Sequence, residues 1–323
     1  AIKGSVFESD EKGFVQGNEK YASGIRYGAR ANTKKYNWLA QAPSQCVTYA
    51  ACHDNATLYD KIICSTDLAN YDERSEDAVK MNKMAGAMIN ASQGITFMLA
   101  GEEMCRTKYG DTNSYKSSPE INKIKWQNLV DYADVISYYK GLIQIKKSFT
   151  PLTSMDNTYF DNFTFGGSRM TEKSNQVSYV IKNDQAGEWN TMAVIYNSAS
   201  TEAEVTLPST TTVNDWVIIA NGDIAGLDSL GEVTGTTFKV PAYATIIAVD
   251  KEGYESAGLK SNMGKVVVNY LYEKNGQPLK DALTLQGQIG SNYQTPSISG
   301  IDDTYVLDRV EGDEKGQYSE DTK

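Results

Sequence analysis

The sequence predicts an α/β segment followed by all-β structure, and three changes of pattern along the chain carry that prediction. Residues 1–150 alternate helical and strand patterns, as a parallel α/β unit does. Residues 151–252 change to period-two segments separated by turns, which indicates an antiparallel β-sandwich. A polar linker at 253–263 then leads to a small β-module at 264–323.

Two helices and two apolar runs define the α/β segment. Apolar residues recur at helical spacing over 75–92 and again over 132–147. The runs 47–52 and 95–100 are short and mostly apolar, which predicts two buried parallel strands. Because two strands cannot make a stable parallel sheet alone, we expect the remaining strands to lie upstream of residue 1; the alternative is that this segment does not fold in this way.

The β-sandwich is predicted from alternating segments and strong turn signals. Asn221-Gly222 and Gly166-Gly167 are dipeptides typical of tight turns. The predicted strands cover 177–182, 192–197, 203–207, 216–220 and 238–249.

Charge and hydropathy exclude several classes of function. The formal net charge is −10 and no basic cluster is present, which argues against nucleic acid or an anionic membrane as a partner. No stretch approaches 18 consecutive apolar residues, so no membrane-spanning helix is predicted. An uncharged polyhydroxylated ligand fits this composition, although the 21 tyrosines also suit ordinary strands. The chain opens without Met and ends without a closing element, so we expect both ends to be cut from a longer protein.

The cysteines offer no metal site. Cys46, Cys52, Cys64 and Cys105 lack CxxC spacing and have no histidine cluster beside them, which argues against zinc. The pattern favours buried free thiols, with one disulfide as the alternative. The Asp and Asn residues show no spacing of the EF-hand kind, so no cofactor is predicted and calcium stays open.

The only histidine directly follows the first predicted strand. His53 and Asp54 therefore lie at the edge where parallel α/β sheets place their functional groups. Such a pair can hydrogen-bond a sugar hydroxyl and set a carboxylate against developing positive charge. On local sequence alone, a capping role in the loop is the stronger interpretation.

A second polar loop follows the second predicted strand. It contains Arg106, Asp111, Asn113 and Tyr115, and parallel strands deliver their following loops to one edge. The set suits a neutral polyol held by hydrogen bonds and stacking. An Asx-rich surface turn at 111–115 is an equal alternative.

Five runs of residues form motifs in order along the chain: 4–7, 13–17, 49–61, 92–107 and 110–115, the last followed by Ile121, Asn122 and Trp126. Together these motifs resemble type I pullulanases of the α-amylase superfamily. The run 49–61 is similar to the last motif block of that family, and 92–107 is similar to its eighth strand and loop. The similarity is collinear over about residues 1–250.

The resemblance implies a retaining hydrolase of α-1,6 linkages in pullulan, starch or glycogen, with 1–150 as the C-terminal part of a (β/α)8 barrel. Asp54 would correspond to the family's third acid, which stabilises the oxocarbenium-like transition state, and His53 to its neighbour, which donates to a sugar hydroxyl. The resemblance places further residues along adjacent glucose subsites, namely Asn55, Arg106, Asp111, Asn113 and Tyr115.

One departure from the family affects the expected activity. The nucleophile and the acid/base of the family belong to its fourth and fifth strands, which have no counterpart in this sequence. Glu102 and Glu103 follow the eighth strand and match neither role. We therefore expect the 323-residue chain alone to be inactive.

The tail from Gly264 contains a series of β-type motifs, namely Val266 to Tyr270, Gly276 to Leu279, Leu285 to Gly290, Tyr293, Gly312 and Gly316. These motifs resemble the mucin-binding-type repeats of Gram-positive surface proteins, with the last strand of the repeat missing from the pattern. The resemblance implies a location outside the cell or on the cell wall, and host glycan or mucin as a partner; a spacer role is an equal alternative.

Two other functions remain open at this stage. A non-catalytic cell-surface protein that binds carbohydrate or mediates adhesion would contain a barrel remnant that carries out no chemistry. An isoamylase or a branching enzyme would keep the superfamily but change the linkage that is handled. In each of these cases the expected partner is an α-glucan polysaccharide or a related glycan.

Overall fold

The computed structural model describes residues 1–33, 40–297 and 305–322. Its helices are α1 Ala22–Ala29, α2 Leu58–Thr66, α3 Glu76–Asn90, α4 Pro119–Asn122, α5 Asn128–Asp131, α6 Ala133–Lys147, α7 Thr150–Thr153 and α8 Lys251–Ala257. Its strands are β1 Val47–Thr48, β2 Ile95–Thr96, β3 Phe163–Phe165, β4 Gln176–Lys182, β5 Thr191–Asn197, β6 Ala203–Thr206, β7 Asp215–Ala220, β8 Glu232–Thr234, β9 Thr237–Val240, β10 Ala244–Asp250, β11 Met263–Leu271, β12 Pro278–Gln288, β13 Asn292–Gln294 and β14 Lys315–Gln317. No helix in these ranges is long and apolar enough to cross a membrane.

Both predicted helices are confirmed. Helix α3 begins after Ser75, whose side chain accepts a hydrogen bond from the backbone N–H of Ala78 at 3.3 Å. It ends at Asn90, four residues before Gly94, which has a φ of +92°. A Cβ at Gly94 would lie 2.9 Å from Thr48 Oγ1, so only glycine fits this turn between α3 and β2.

The two predicted parallel strands exist, but they are shorter and more exposed than predicted. β1 and β2 pair in parallel with Val47 opposite Ile95. The side chains of these two residues are 53% and 46% exposed, so the prediction of buried strands is wrong. The reason is that β1 and β2 form a two-stranded sheet, and no other strand in the described part of the chain lies beside them.

The antiparallel domain has two layers. Six strands form one sheet in the order β3-β4-β5-β10-β7-β8, and β6 pairs with β9 in a second sheet. A core of apolar side chains lies between the sheets, where Trp216 and Phe238 meet edge to face at 6.2 Å. The sandwich prediction is therefore confirmed at the level of two packed antiparallel layers.

The predicted strand at 238–249 is in fact two strands. β9 belongs to the smaller sheet and β10 to the larger one. Pro241 lies between them and has no N–H to donate to a ladder, and Tyr243 adopts a φ of +52°. Period-two alternation continues through this corner, which is why the sequence pattern did not reveal it.

The other face of the large sheet packs against the helices of the first segment. The hydroxyl of Tyr179 donates to the backbone carbonyl of Ala91 at 2.9 Å and also contacts the hydroxyl of Tyr196 at 3.0 Å. Helix α6 comes so close to the turn after β7 that a Cβ on Gly141 would lie 1.8 Å from the carbonyl oxygen of Ala225. The helices and the sheet therefore share one continuous apolar core.

The predicted linker at 253–263 is largely structured. Helix α8 occupies its first half, because Asp250 caps the helix by accepting from the N–H of Gly253 at 2.7 Å. Only residues 258–262 separate α8 from β11. Asp250 and Gly253 fit the capping pattern, but the glycine and serine content suggested a linker instead.

The tail module packs on helix α6. The Ser137 hydroxyl accepts the backbone N–H of Gln286 at 2.7 Å, and the Gln286 side-chain amide donates to the carbonyl of Ala225 at 2.9 Å. Gln286 is buried, and Lys265 pairs with Asp228 at 2.7 Å beside it. The tail therefore contacts both the helical segment and the β-sandwich.

A buried ion cluster joins α3 to α6. The Asp134 carboxylate, on α6, lies 2.9 Å from Lys83 Nζ and 3.0 Å from a nitrogen of the Arg74 guanidinium. Burial alone would raise the pKa of Asp134, but the charges of Lys83 and Arg74 hold that pKa below its ordinary value. The cluster depends on all three charges because each is almost fully enclosed.

We expect Asp134→Asn to lower the free energy of unfolding by about 3–5 kcal/mol, because it leaves the buried Lys83 ammonium without a carboxylate and Arg74 with Glu76 alone. Urea denaturation at pH 7 measures this. Because the pKa of Asp134 is lowered in the folded protein, its contribution to the free energy of unfolding is present at pH values above 3.8, the ordinary pKa of aspartate. That contribution is lost as the pH falls below 3.8 towards the lowered pKa.

The difference in the free energy of unfolding between wild type and Asp134→Asn should therefore decrease below about pH 4. The control is Asp77→Asn, because Asp77 is half exposed and its ion pair with Lys80 is long at 4.0 Å. We expect that control to change stability by less than about 1 kcal/mol. Equal losses in the two variants would contradict the assignment.

Candidate functional site

His53 and Asp54 lie in the loop between β1 and α2. Thr57 ends this loop by accepting a hydrogen bond from the N–H of Asp60 at 3.1 Å, which starts α2. His53 Nε2 lies 3.4 Å from a carboxylate oxygen of Asp54, and the two side chains are 86% and 74% exposed. The adjacent Asn55 has a φ of +64°, which turns the chain sharply into the helix. The pair is thus presented to solvent and does not cap a helix.

The second predicted loop is joined to the first by a buried carboxylate. Asp60, on α2, is fully buried and accepts hydrogen bonds from the Thr107 hydroxyl and from the backbone N–H of Lys108, the latter at 2.8 Å. Burial raises the pKa of Asp60, and the hydrogen bonds from Thr107 and Lys108 oppose that rise. We call this arrangement the Asp60 clamp. It fixes residues 107–108 against the helix that follows His53 and Asp54.

Sequence reasoning did not identify Asp60. The sequence feature that could have revealed Asp60 is an acidic residue in the mostly apolar run 58–63. All six residues of that run are buried in the structure. An unpaired acid on such a face has to find donors elsewhere in the chain. That signal points to a partner but does not say which loop provides it.

Asp111 and Asn113 form an Asx-type turn, the alternative interpretation of this loop. One carboxylate oxygen of Asp111 accepts the Asn113 N–H at 2.9 Å, and the other accepts the Ser117 hydroxyl. These bonds, that from Ser117 above all, lower the pKa of Asp111. Tyr115 lies in the same turn with its side chain 74% exposed, so its ring is open to a ligand.

Arg106 is bonded within its own loop. Its guanidinium donates to the carbonyl of Ala100 at 2.9 Å and to that of Asn122 at 2.7 Å. The Asn122 amide in turn donates to the carbonyls of Ser114 and Ser117, at 2.7 and 3.1 Å. In this geometry Arg106 shapes the loop that carries Tyr115, and its terminal nitrogens are directed at carbonyls.

A second buried acid lies behind the site. Glu102 is 3% exposed, and burial, together with the nearby charge of Glu103, raises its pKa to about 8. Lys3 is also buried, and its ammonium donates to the carbonyl of Ala56 at 2.7 Å. Lys3 thereby connects the start of the chain to the loop that carries Asn55.

The described residues contain no group of three or more His, Cys, Asp or Glu side chains that could hold a metal ion. None of the four cysteines forms a disulfide. Cys105 is buried, as predicted for all four, whereas Cys46, Cys52 and Cys64 are only half-buried.

We expect Asp60→Asn to loosen residues 107–117, because an amide offers only one acceptor oxygen to the two donors. Hydrogen–deuterium exchange should show faster exchange across that stretch and little change in α3. The control is Asp67→Asn at the C-terminal end of the same helix. Unchanged exchange in Asp60→Asn would show that the clamp does not hold the loop.

Comparison with known proteins adds two family matches. Residues 169–224 match the pullulanase all-beta domain, and residues 265–323 match the MucBP domain. The first match lies within the β-sandwich and the second covers the tail module.

Relatives of known sequence or structure agree with these matches. Pullulanase of Bacillus subtilis (strain 168) is 28% identical over 215 residues, which is 65% of this chain and 29% of that protein. The structure of the pullulanase from Bacillus acidopullulyticus superposes with a TM-score of 0.67 at 32% identity, over 77% of this chain and 29% of that one. Type I pullulanase of Bacillus subtilis str. 168, complexed with maltose, gives 0.66 at 25% identity, over 77% and 34%.

The chain thus spans about a third or less of the length of these relatives. The agreement of sequence motifs, domain matches and fold leads to one conclusion. This chain joins a segment that is similar to pullulanases to a module that matches the MucBP domain.

Proposed function

We propose that this chain forms part of the active site of a retaining debranching hydrolase that cleaves α-1,6-glucosidic linkages in pullulan, starch or glycogen. One observation carries the proposal: the polar loops that follow two paired parallel strands are held together by the Asp60 clamp. In a (β/α)8 barrel, catalytic groups lie on the loops at this edge. The pullulanase relatives supply the reaction class, and the maltose complex of one of them supports an α-glucan as the ligand.

The exposed faces of β1 and β2 support their membership of a larger barrel. Tyr49 and Phe97 follow the paired residues and meet edge to face at 6.1 Å, yet both remain more than 40% exposed. Apolar side chains at this exposure, beside the edges of a two-stranded sheet, are typical of a surface that another element covers. We infer that further parallel strands cover it in the active protein.

In this proposal the negative charge of Asp54 stabilises the oxocarbenium-like transition state. A sugar can reach the Asp54 carboxylate because it is exposed, beside His53. His53 donates to a hydroxyl of the same sugar, and Asn55 lies beside it. Tyr115 provides a stacking surface, while Asp111 and Asn113 offer polar atoms at the same loop. Arg106 acts through the shape of that loop.

A retaining mechanism also needs a nucleophile and an acid/base about 5 Å apart. Glu102 cannot serve as either, because both of its carboxylate oxygens are buried and a substrate cannot reach them. The proposal therefore assigns both groups to residues outside these 323, and the chain alone would bind glucan without cleaving it.

The MucBP match supports a location at the cell surface and a glycan or mucin as a second partner. The same match keeps a non-catalytic adhesion protein as the second candidate function. The two candidates differ in where an α-glucan binds. The debranching hydrolase predicts that the α-glucan binds at residues 53–55 and 111–115. The adhesion protein predicts that it binds at residues 265–322.

We expect the purified chain to bind maltotetraose and to release no reducing sugar from pullulan. Tyr115→Ala should weaken binding about tenfold, the equivalent of about 1.4 kcal/mol, because the exposed ring is lost. Isothermal titration and a reducing-sugar assay measure the two quantities. A deletion of residues 265–323 is the matched comparison: loss of maltotetraose binding in the deletion, but not in Tyr115→Ala, would favour the adhesion function. Turnover of pullulan by the chain alone would contradict the assignment of the missing groups.

A further inference from the structure

The segment before α1 forms a cavity with the two site loops. The cavity has a volume of about 320 Å³. Its lining includes Val6, Phe7 and Ser9, which we call the first wall, and Asn55, Tyr71 and Thr112, which we call the second wall. Asn55 is the neighbour of Asp54, and Thr112 lies in the turn that precedes Tyr115. The cavity therefore adjoins both loops of the candidate site.

Hydrogen bonds hold the first wall in place. The Lys61 ammonium, from α2, donates to the carbonyls of Glu8 and Ser9. The thiol of Cys64, one turn later, also lies 3.2 Å from the carbonyl of Ser9. The segment 7–9 is thus attached to the helix that the Asp60 clamp uses.

Close packing constrains the second wall. Gly110 has a φ of +76°, and a Cβ there would lie 2.4 Å from the hydroxyl oxygen of Tyr71. The loop at 110–112 can approach Tyr71 only because residue 110 is glycine. The space between the walls is consequently a property of the fold.

The lining matches a neutral sugar. It offers the hydroxyls of Ser9, Thr112 and Tyr71 and the amide of Asn55, and the described lining includes no carboxylate. The ammonium groups of Lys3 and Lys61, which also line the cavity, already donate to backbone carbonyls. Phe7 is 90% exposed, so one ring is available to pack on the apolar face of a pyranose.

We propose that this cavity is an additional subsite for one glucosyl unit, with Phe7 as its stacking ring. It would take a unit of the same α-glucan chain that reaches Asp54, since Asn55 borders both places. The proposal rests on the function proposed above, and it gives a role to the Gly4 to Phe7 motif that this function leaves without one. A cavity of about 300 Å³ or more with a few convergent polar groups is typical of small-ligand sites.

The test is isothermal titration of the full chain with linear maltooligosaccharides of two to six units. We expect Phe7→Ala to remove the gain in affinity between shorter and longer oligosaccharides, with about a tenfold loss for the longest. Phe7→Tyr should retain the gain because the ring is kept. Thr112→Val should weaken the longer oligosaccharides severalfold, through the loss of one hydroxyl.

Leu307→Ala is the matched control, because Leu307 is a large, exposed apolar residue of the tail module. Phe7 makes so little contact that its replacement should leave the thermal unfolding temperature unchanged. Wild-type affinities in both Phe7→Ala and Thr112→Val, alongside weakened binding in Tyr115→Ala, would overturn the subsite and keep the proposed function. Absence of oligosaccharide binding by the wild-type chain would overturn both.

Discussion

Helix α6 is the element on which the other parts of the molecule converge. One side carries Asp134 into the ion cluster with α3, and Gly141 lies against the turn after β7. A third position, Ser137, bonds to the tail module through Gln286. Because a single rigid helix contacts all three regions, the close approach at Gly141 sets the distance between the helical segment and the β-sandwich. A side chain at that position would have to push the two apart.

Much of the fold could be predicted because local patterns are strong in this sequence. The capped periodicity after Ser75 and the alternating strands of the sandwich depend on near neighbours in the chain, and both were confirmed. The errors came where tertiary context decides. The exposure of β1 and β2 depends on which strands lie beside them, and the corner at Pro241 depends on a change of sheet.

The candidate site divides in the same way. Motif order placed His53, Asp54 and the 111–115 loop after neighbouring parallel strands. Their connection through Asp60 could not be read from the sequence, because the donors lie 47 and 48 residues away. Arg106 shows the converse: its residue type suggests ligand binding, whereas its hydrogen bonds go to Ala100 and Asn122. The residue type determines which bonds a side chain can form, but only the fold shows which group it bonds to.

The docking of the tail has a consequence for any ligand that the tail binds. A module on a long flexible linker samples many orientations, and the effective concentration it confers on a second site falls with linker length. Here only five residues, 258–262, separate α8 from β11, and Gln286 is buried against α6 and the turn at Ala225. Anything held by the tail would therefore meet the rest of the protein at a set angle and distance. The tail is therefore a rigidly docked module and not a flexibly linked one.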